Sequence, residues 1–438
     1  MLKAHLEYYG ELYLILLSWA LFGAFLPKLL VVVYSVITFI LILRTQDFSK
    51  VFLALVCMLI FSDSRQSMFA FAATAKIGVM LSLLTYLLFN WKSLKDKTNK
   101  LFMFFLPFLI FAVLSTLWSN DAFNTFQKVF SYGLIYFTVP ILYKNALIQR
   151  PQFSMDLLMF FLFIVLSGII VYLINPSFVS LVGRYRGLLG NPNGLGILST
   201  LVFLIFYLEM KSKKIRLLES NFNKFFLLVF FISLFLTGSR NALISILIFL
   251  VFNYIRFFSQ GIVFMVFVLL LLSYDYLLSL VPGIVMTFGL QEYFRLDTLE
   301  EGSGRFIAWN FAWEQIQQKF YFGGGYGFTE YVFKKNYTYL SQLGHQGNAH
   351  NSYLTLWLDT GIIGLGLFLL GLMRVIFASV KNSSYTLPVF YAVLFSANFE
   401  SWLTASLNPF TSIFILVLTI LLSSNLSNNS EIENPHPL

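Results

Sequence analysis

The chain has 438 residues, 58% of them hydrophobic and only 11% charged, and its 29 Lys and Arg against 20 Asp and Glu leave a net charge of +9. A soluble globular protein is about one quarter charged, so the composition excludes a water-soluble fold although the length would hold two or three soluble domains. In lipid every backbone polar group needs an internal partner, which leaves helices or a closed barrel, and the short alternating segments of a barrel are absent from this sequence.

In chain order the apolar runs cover 12–26, 29–43, 50–61, 67–89, 101–118, 125–143, 155–174, 192–208, 225–238, 241–255, 261–281, 352–373, 386–399 and 408–422. They predict an all-α, polytopic membrane protein with about 12 to 14 transmembrane segments. Residues 51–61 are short enough for a half-crossing or a buried core helix, and Thr237, Gly238, Ser239 and Arg240 interrupt two neighbouring runs. The first apolar run reads as a membrane helix rather than a cleavable signal peptide. The expected organisation is membrane helices over 1–281, an extracytoplasmic loop region over 282–350, C-terminal membrane helices over 351–422, and a disordered cytoplasmic tail over 423–438, rich in Asn, Ser and Pro.

Lys and Arg gather at alternate junctions: Arg44 and Lys50, then Lys92, Lys95, Lys97 and Lys100, then Lys144 and Arg150, then the 211–224 stretch, then Arg256, Arg374 and Lys381. The opposite short junctions hold little beyond Lys28, Arg65, Lys128, Arg184, Arg186 and Arg240. Basic loops stay cytoplasmic, so both termini are expected inside. The basic balance is thus membrane anchoring; nothing in the pattern resembles a nucleic-acid-binding motif.

The lone Cys57 permits no intrachain disulfide or cysteine metal site. Of four histidines, His5 and His436 sit near the termini and read as surface groups, while His345 and His350 close the outer loop. His350 stands at the mouth of the 352–373 helix, either as a capping or interface residue or as a base able to take a proton from a hydroxyl near neutral pH. Two histidines five apart hold a metal only with further ligands, and no metal or cofactor is expected. Arg184 and Arg186 precede a turn-rich stretch, 187–196, that leads into a helix. Arg184 is either an interfacial anchor or, with Arg186 and Arg240, part of a clamp whose forked donors suit a diphosphate. A charge such as Arg240 between apolar runs tends to be paired or functional. Arg305 and Trp309, four apart in a helical stretch over 304–318, share one face; Arg305 suits phosphate or sugar, and Trp309 suits sugar stacking or packing of the loop. The glycines at 323–327 lack the Lys-Ser/Thr that would follow in a phosphate-binding loop and read as a structural turn. Asp121, Glu292, Glu314 and Glu400 show no spacing that pairs them for two-carboxylate chemistry.

Taken together, Arg186 with Gly190, Asn191, Pro192 and Asn193, then Thr237 to Arg240, then Gly304, Arg305 and Trp309, the 323–327 turn, and His350 and Asn351 followed by Gly361 resemble the core of the bacterial O-antigen ligase and O-antigen polymerase superfamily. The resemblance covers a little under half of the chain, about 184–378. It implies an architecture like the type C glycosyltransferases and an enzyme of the cytoplasmic membrane with its active site on the extracytoplasmic face. Such an enzyme takes a glycan from an undecaprenyl diphosphate carrier and joins it to an acceptor glycan or glycolipid. In that reading His350 is the catalytic base and Arg186, Arg240, Arg184 and Arg305 surround the diphosphate. A repeat-unit polymerase, with a chain-length regulator as candidate partner, is preferred because no feature points to a lipid A core acceptor. A ligase acting on that core is the alternative. A polysaccharide flippase or secondary transporter is the competing class, but such folds carry repeats in corresponding halves, whereas the large outer loop here is single.

Overall fold

The computed structural model describes residues 2–212, 220–273, 286–287, 304–345 and 347–423. Lys213, Lys214, Arg216, Glu292, His436 and all of the expected tail beyond Ser423 lie outside them. The described chain is helical apart from one two-stranded hairpin. Helices α1 to α7 span Leu2–Phe25, Lys28–Arg44, Phe48–Asp63, Ala72–Phe89, Lys100–Leu114, Ala122–Gln149 and Phe153–Ile174. After the hairpin come α8 (Pro192–Ser212), α9 (Asn221–Thr237), α10 (Arg240–Tyr254) and α11 (Gln260–Leu272), then α12 (Arg305–Gln318), α13 (Phe328–Lys335) and α14 (Tyr337–Gln342), and finally α15 (Ser352–Val380), α16 (Thr386–Phe399) and α17 (Pro409–Ser423).

Among the described residues seven helices are long and apolar enough to span a bilayer: 2–25, 67–89, 100–118, 153–174, 192–212, 240–257 and 352–380. Four shorter apolar helices, α9, α11, α16 and α17, accompany them. A run buried among other helices looks the same in sequence as one facing lipid. Residues 51–61 are the clearest case, since all of them are buried and α3 is a core helix. The same holds for α8 and α17, whose sides are almost wholly enclosed, whereas α1 and α2 leave Leu14, Leu17 and Leu29 exposed, an apolar girdle that lipid would cover.

Helix ends follow local chemistry. Asp47, Asn99, Asp121, Ser220 and Asn351 accept backbone N–H bonds at the starts of α3, α5, α6, α9 and α15, satisfying donors a helix cannot satisfy itself. The interruption at 237–240 is an end and a restart: Gly238 closes α9 in the left-handed region (φ 55°) and Arg240 opens α10. Within α15 the chain breaks at Gly361 (φ 68°), and the 323–327 turn docks there. The Gly324 and Gly325 N–H groups donate to the carbonyls of Leu358 and Asp359, and the Ile362 N–H donates to Phe320. A Cβ on Gly361 would lie 2.1 Å from the Tyr321 carbonyl oxygen, so backbone meets backbone here only because glycine has no side chain. That contact fixes α12 and α13 on the membrane bundle.

The basic 95–98 segment and the 323–327 turn that leads into α13 lie at opposite ends of α6. Ser119, just before α6, packs on Gly325, and at the other end Asn145 and Lys144 bond the 95–98 segment. The 28 residues between them span about 40 Å. At that second end His5 departs from its expected surface setting: it is buried, its Nδ1 lies 2.9 Å from Asp156 Oδ1, and its Nε2 lies 2.8 Å from the Tyr13 hydroxyl.

Candidate functional site

The polar centre of the bundle is Glu400, which ends α16 and is buried. Its Oε1 accepts from Asn193 Nδ2 at 2.7 Å and Arg305 Nη2 at 3.1 Å, and its Oε2 lies 3.2 Å from His350 Nδ1. Burial alone would raise the carboxyl's pKa, but the His350 bond and charge, followed by the Arg305 charge, hold it below the ordinary carboxylate value. These residues come from four places in the chain: the start of α8, the start of α12, the turn before α15 and the end of α16.

His350 is placed by unusual local structure. Its φ is +45°, a left-handed conformation that costs a residue with a Cβ and survives only where surroundings enforce it. The surroundings are visible: the His350 N–H donates to Asn348 Oδ1, and the Asn351 N–H donates to Ser401 Oγ, one residue past Glu400. With Nδ1–H donating to the Glu400 carboxylate, Nε2 is left as the nitrogen that can accept a proton. A Cβ built on Gly347 would sit 3.0 Å from that Nε2, and Gly347 has a φ of +130°. Gly347→Ala is therefore expected to displace the imidazole and lower activity about tenfold or more while the protein stays in the membrane. Turnover at saturating substrate, normalised to folded protein, checks it.

His345, between Gly344 and Gly347, is held firmly. It is 3% exposed, its ring meets those of Phe333 and His350 edge-on, and its Nε2 lies 3.0 Å from the Asn348 carbonyl. Burial, then the nearby His350, pushes its pKa down; its place is under the turn that carries His350.

The arginines divide into two groups. Arg184 donates from Nε to the Thr237 carbonyl at 2.8 Å and from Nη2 to Asn193 Oδ1 at 2.9 Å, so it joins the Glu400 network through Asn193 and grips the turn that opens α10 at Arg240. It lies in the hairpin of β1 (Ser180–Leu181) and β2 (Arg184–Tyr185), where it pairs with Leu181. Val182 and Gly183, both with positive φ, make the tight connection that such hairpins favour. Arg186 occupies a neighbouring corner. It is 8% exposed, its two long contacts, to the Gly190 and Phe178 carbonyls, are both 3.4 Å, and its Nε is buried with no partner among the described residues. Burial, then the charge of Arg65, lowers its pKa. A buried guanidinium with an unused N–H beside a second cation suits an anion. Arg240 is half-buried at the first position of α10.

Arg305 follows Gly304, whose φ of +71° starts α12, and its guanidinium also lies 5.7 Å from the Phe399 ring centre. Trp309, one turn on, packs against Phe306 and Phe399 at 5.6 and 6.3 Å between ring centres. This seats α12 on α16, the loop-packing role.

Two residues central to this geometry were not legible as site residues. Glu400 pairs with nothing at helical spacing, and its one signal is that it is the only acid between Asp359 and Glu431, at the end of an apolar run. Arg65 read only as a loop charge.

Residues 225–369, about one third of the chain, match the family model described as O-antigen ligase. That segment belongs to the O-antigen ligase superfamily. The O-antigen ligase segment carries Arg240, Arg305, Trp309 and His350, whereas Arg184, Arg186 and Glu400 lie outside it. Comparison with curated proteins finds no match. The matched segment, with the seven long apolar helices, supports an enzymatic role in glycan ligation or polymerisation at the membrane for this multi-pass protein.

Proposed function

We propose that the chain transfers a glycan from an undecaprenyl diphosphate carrier to an acceptor hydroxyl at the outer face of the cytoplasmic membrane, within a type C glycosyltransferase architecture. The observation that carries the reading is the Glu400–His350 pair with Arg305 on the same carboxylate. Glu400 holds the imidazole in one orientation, so Nε2 takes the proton of the acceptor hydroxyl as its oxygen attacks the anomeric carbon. The bond from that carbon to the diphosphate oxygen breaks, and its electron pair leaves with the diphosphate. Arg186, with Arg240, Arg184 and Arg305, meets the charge that develops there.

The description of the matched family favours a ligase, with a lipid A core acceptor, over the repeat-unit polymerase.

The test is purified protein in liposomes containing the carrier-linked glycan and a core glycolipid. Joining of glycan to glycolipid without net translocation is expected; translocation without joining would sink the proposal. Orientation is checked by tags: one after Lys97 is expected to report from the cytoplasm and one near Asn336 from the outside, since these positions belong to opposite ends of α6. Both tags on one side would overturn the placement of the site.

A further inference from the structure

Beside the Glu400–His350 pair the structure holds a polar cleft that the mechanism above does not use. Its lining includes Lys128 of α6, Glu330 of α13, Asn348 of the turn before His350, and Ser401, Thr404 and Ser406 of the segment after Glu400. Asn348 and Ser401 belong to both places. Asn348 Oδ1 accepts the His350 N–H, and Ser401 Oγ accepts the Asn351 N–H, so one wall of the cleft is the back of the catalytic turn.

We propose that this cleft holds the acceptor sugar, and that it selects a neutral sugar presenting adjacent hydroxyls; the inference rests on the transfer reaction proposed above. Three features carry it. The first is chemistry: the wall alternates donors and acceptors, and the Asn348 amide nitrogen and the Thr404 and Ser406 hydroxyls have no protein partner among the described residues. Sugar hydroxyls both donate and accept, and can satisfy such a mixed set.

The second feature is charge. Lys128 Nζ and Glu330 Oε2 lie 2.8 Å apart, the lysine mostly buried and the glutamate 73% exposed. The pair presents a fixed ammonium and carboxylate to the solvent side without a net charge. A neutral diol can bridge two such groups, whereas a second carboxylate would face Glu330 and the buried Asp359.

The third feature is rigidity and size. Asp359 accepts from the Gly327 and Thr329 N–H groups and from the Thr329 hydroxyl, which pins the start of α13 and with it Glu330. Gly327 has a φ of +88°, and a Cβ there would lie 2.7 Å from Lys128 Cδ, so the lysine lies flat along bare backbone. The cleft measures ≈ 50 Å³, room for about four waters. It therefore takes the hydroxylated edge of a sugar whose ring lies across the mouth, with another hydroxyl left towards His350.

The experiment uses the full chain in lipid nanodiscs, which avoid sugar-headed detergents, and methyl hexosides and methyl hexuronides as probes. Saturation-transfer NMR is expected to show contact with the neutral methyl hexosides and to lose it in Ser406→Trp, which fills the cleft. Glu330→Gln, a change at an exposed side chain, is expected to weaken hexoside binding about tenfold. In the transfer assay the same substitution should raise the acceptor KM by a similar factor while leaving the donor KM and kcat unchanged. No contact with hexosides, preference for the hexuronides, or contact that survives Ser406→Trp in a folded protein would overturn the inference. Hexoside contact that Ser406→Trp abolishes, in a protein that transfers no glycan, would leave the sugar cleft standing and remove the transferase reading instead.

Discussion

Replacing His350 with Ala is expected to abolish glycan transfer, a loss of about a thousandfold, with membrane insertion and abundance close to those of the parent. The side chain is about a third exposed, bonded to one carboxylate oxygen and edge-on to the His345 ring, so its removal leaves no large packed cavity. It does relieve the φ of +45° of little, since alanine inherits the same backbone. The loss should fall on kcat, because a base acts only as the hydroxyl proton is transferred, and the donor KM should be unchanged. His345→Ala provides the contrast. Its buried ring supports the turn through Phe333 and the Asn348 carbonyl, so that variant should lose stability first and keep substantial activity per folded molecule. A His350→Ala protein transferring at the parent rate would remove the imidazole from the mechanism.

The second large effect is expected at Glu400. Glu400→Gln keeps the size of the side chain but removes the charge that Arg305 and His350 share, and the amide NH₂ must replace one acceptor oxygen with donors. Activity should fall about a hundredfold, and Glu400→Ala should add a clear loss of thermal stability because Asn193, Arg305 and His350 all lose their partner. The pH dependence has a definite sign. The folded carboxyl titrates below its ordinary value of 4.5, so its contribution to stability is complete above that pH and is lost as pH falls through the lower folded value. Unfolding midpoints measured from neutral to acid pH should therefore drop less steeply below 4.5 in Glu400→Gln than in the parent. Equal slopes, with full activity in the variant, would mean that Glu400 is a bystander.

Much of this protein follows from its sequence alone. The all-α membrane class, the break at 237–240, the helix after Gly304 and the helix mouth at His350 are set by local causes: apolar run length, glycine at a left-handed position, and an Asn able to cap. The family resemblance was legible for the same reason, since Arg240, Gly304, Arg305 and His350 lie in short patterns. Tertiary structure decided the rest. Which apolar runs are enclosed, as 51–61 are, depends on what packs around them, and an apolar side chain buried by protein or by lipid has the same chemistry. Glu400 meets Asn193 across 207 residues, Arg305 across 95 and His350 across 50. No spacing rule reaches such distances, because the pairing is made by helix ends brought to one side of a bundle and not by positions along one helix. His345 is a second case: it lies between Gly344 and Gly347 in sequence, and its ring is held by Phe333 and the Asn348 carbonyl, contacts that only the folded chain supplies.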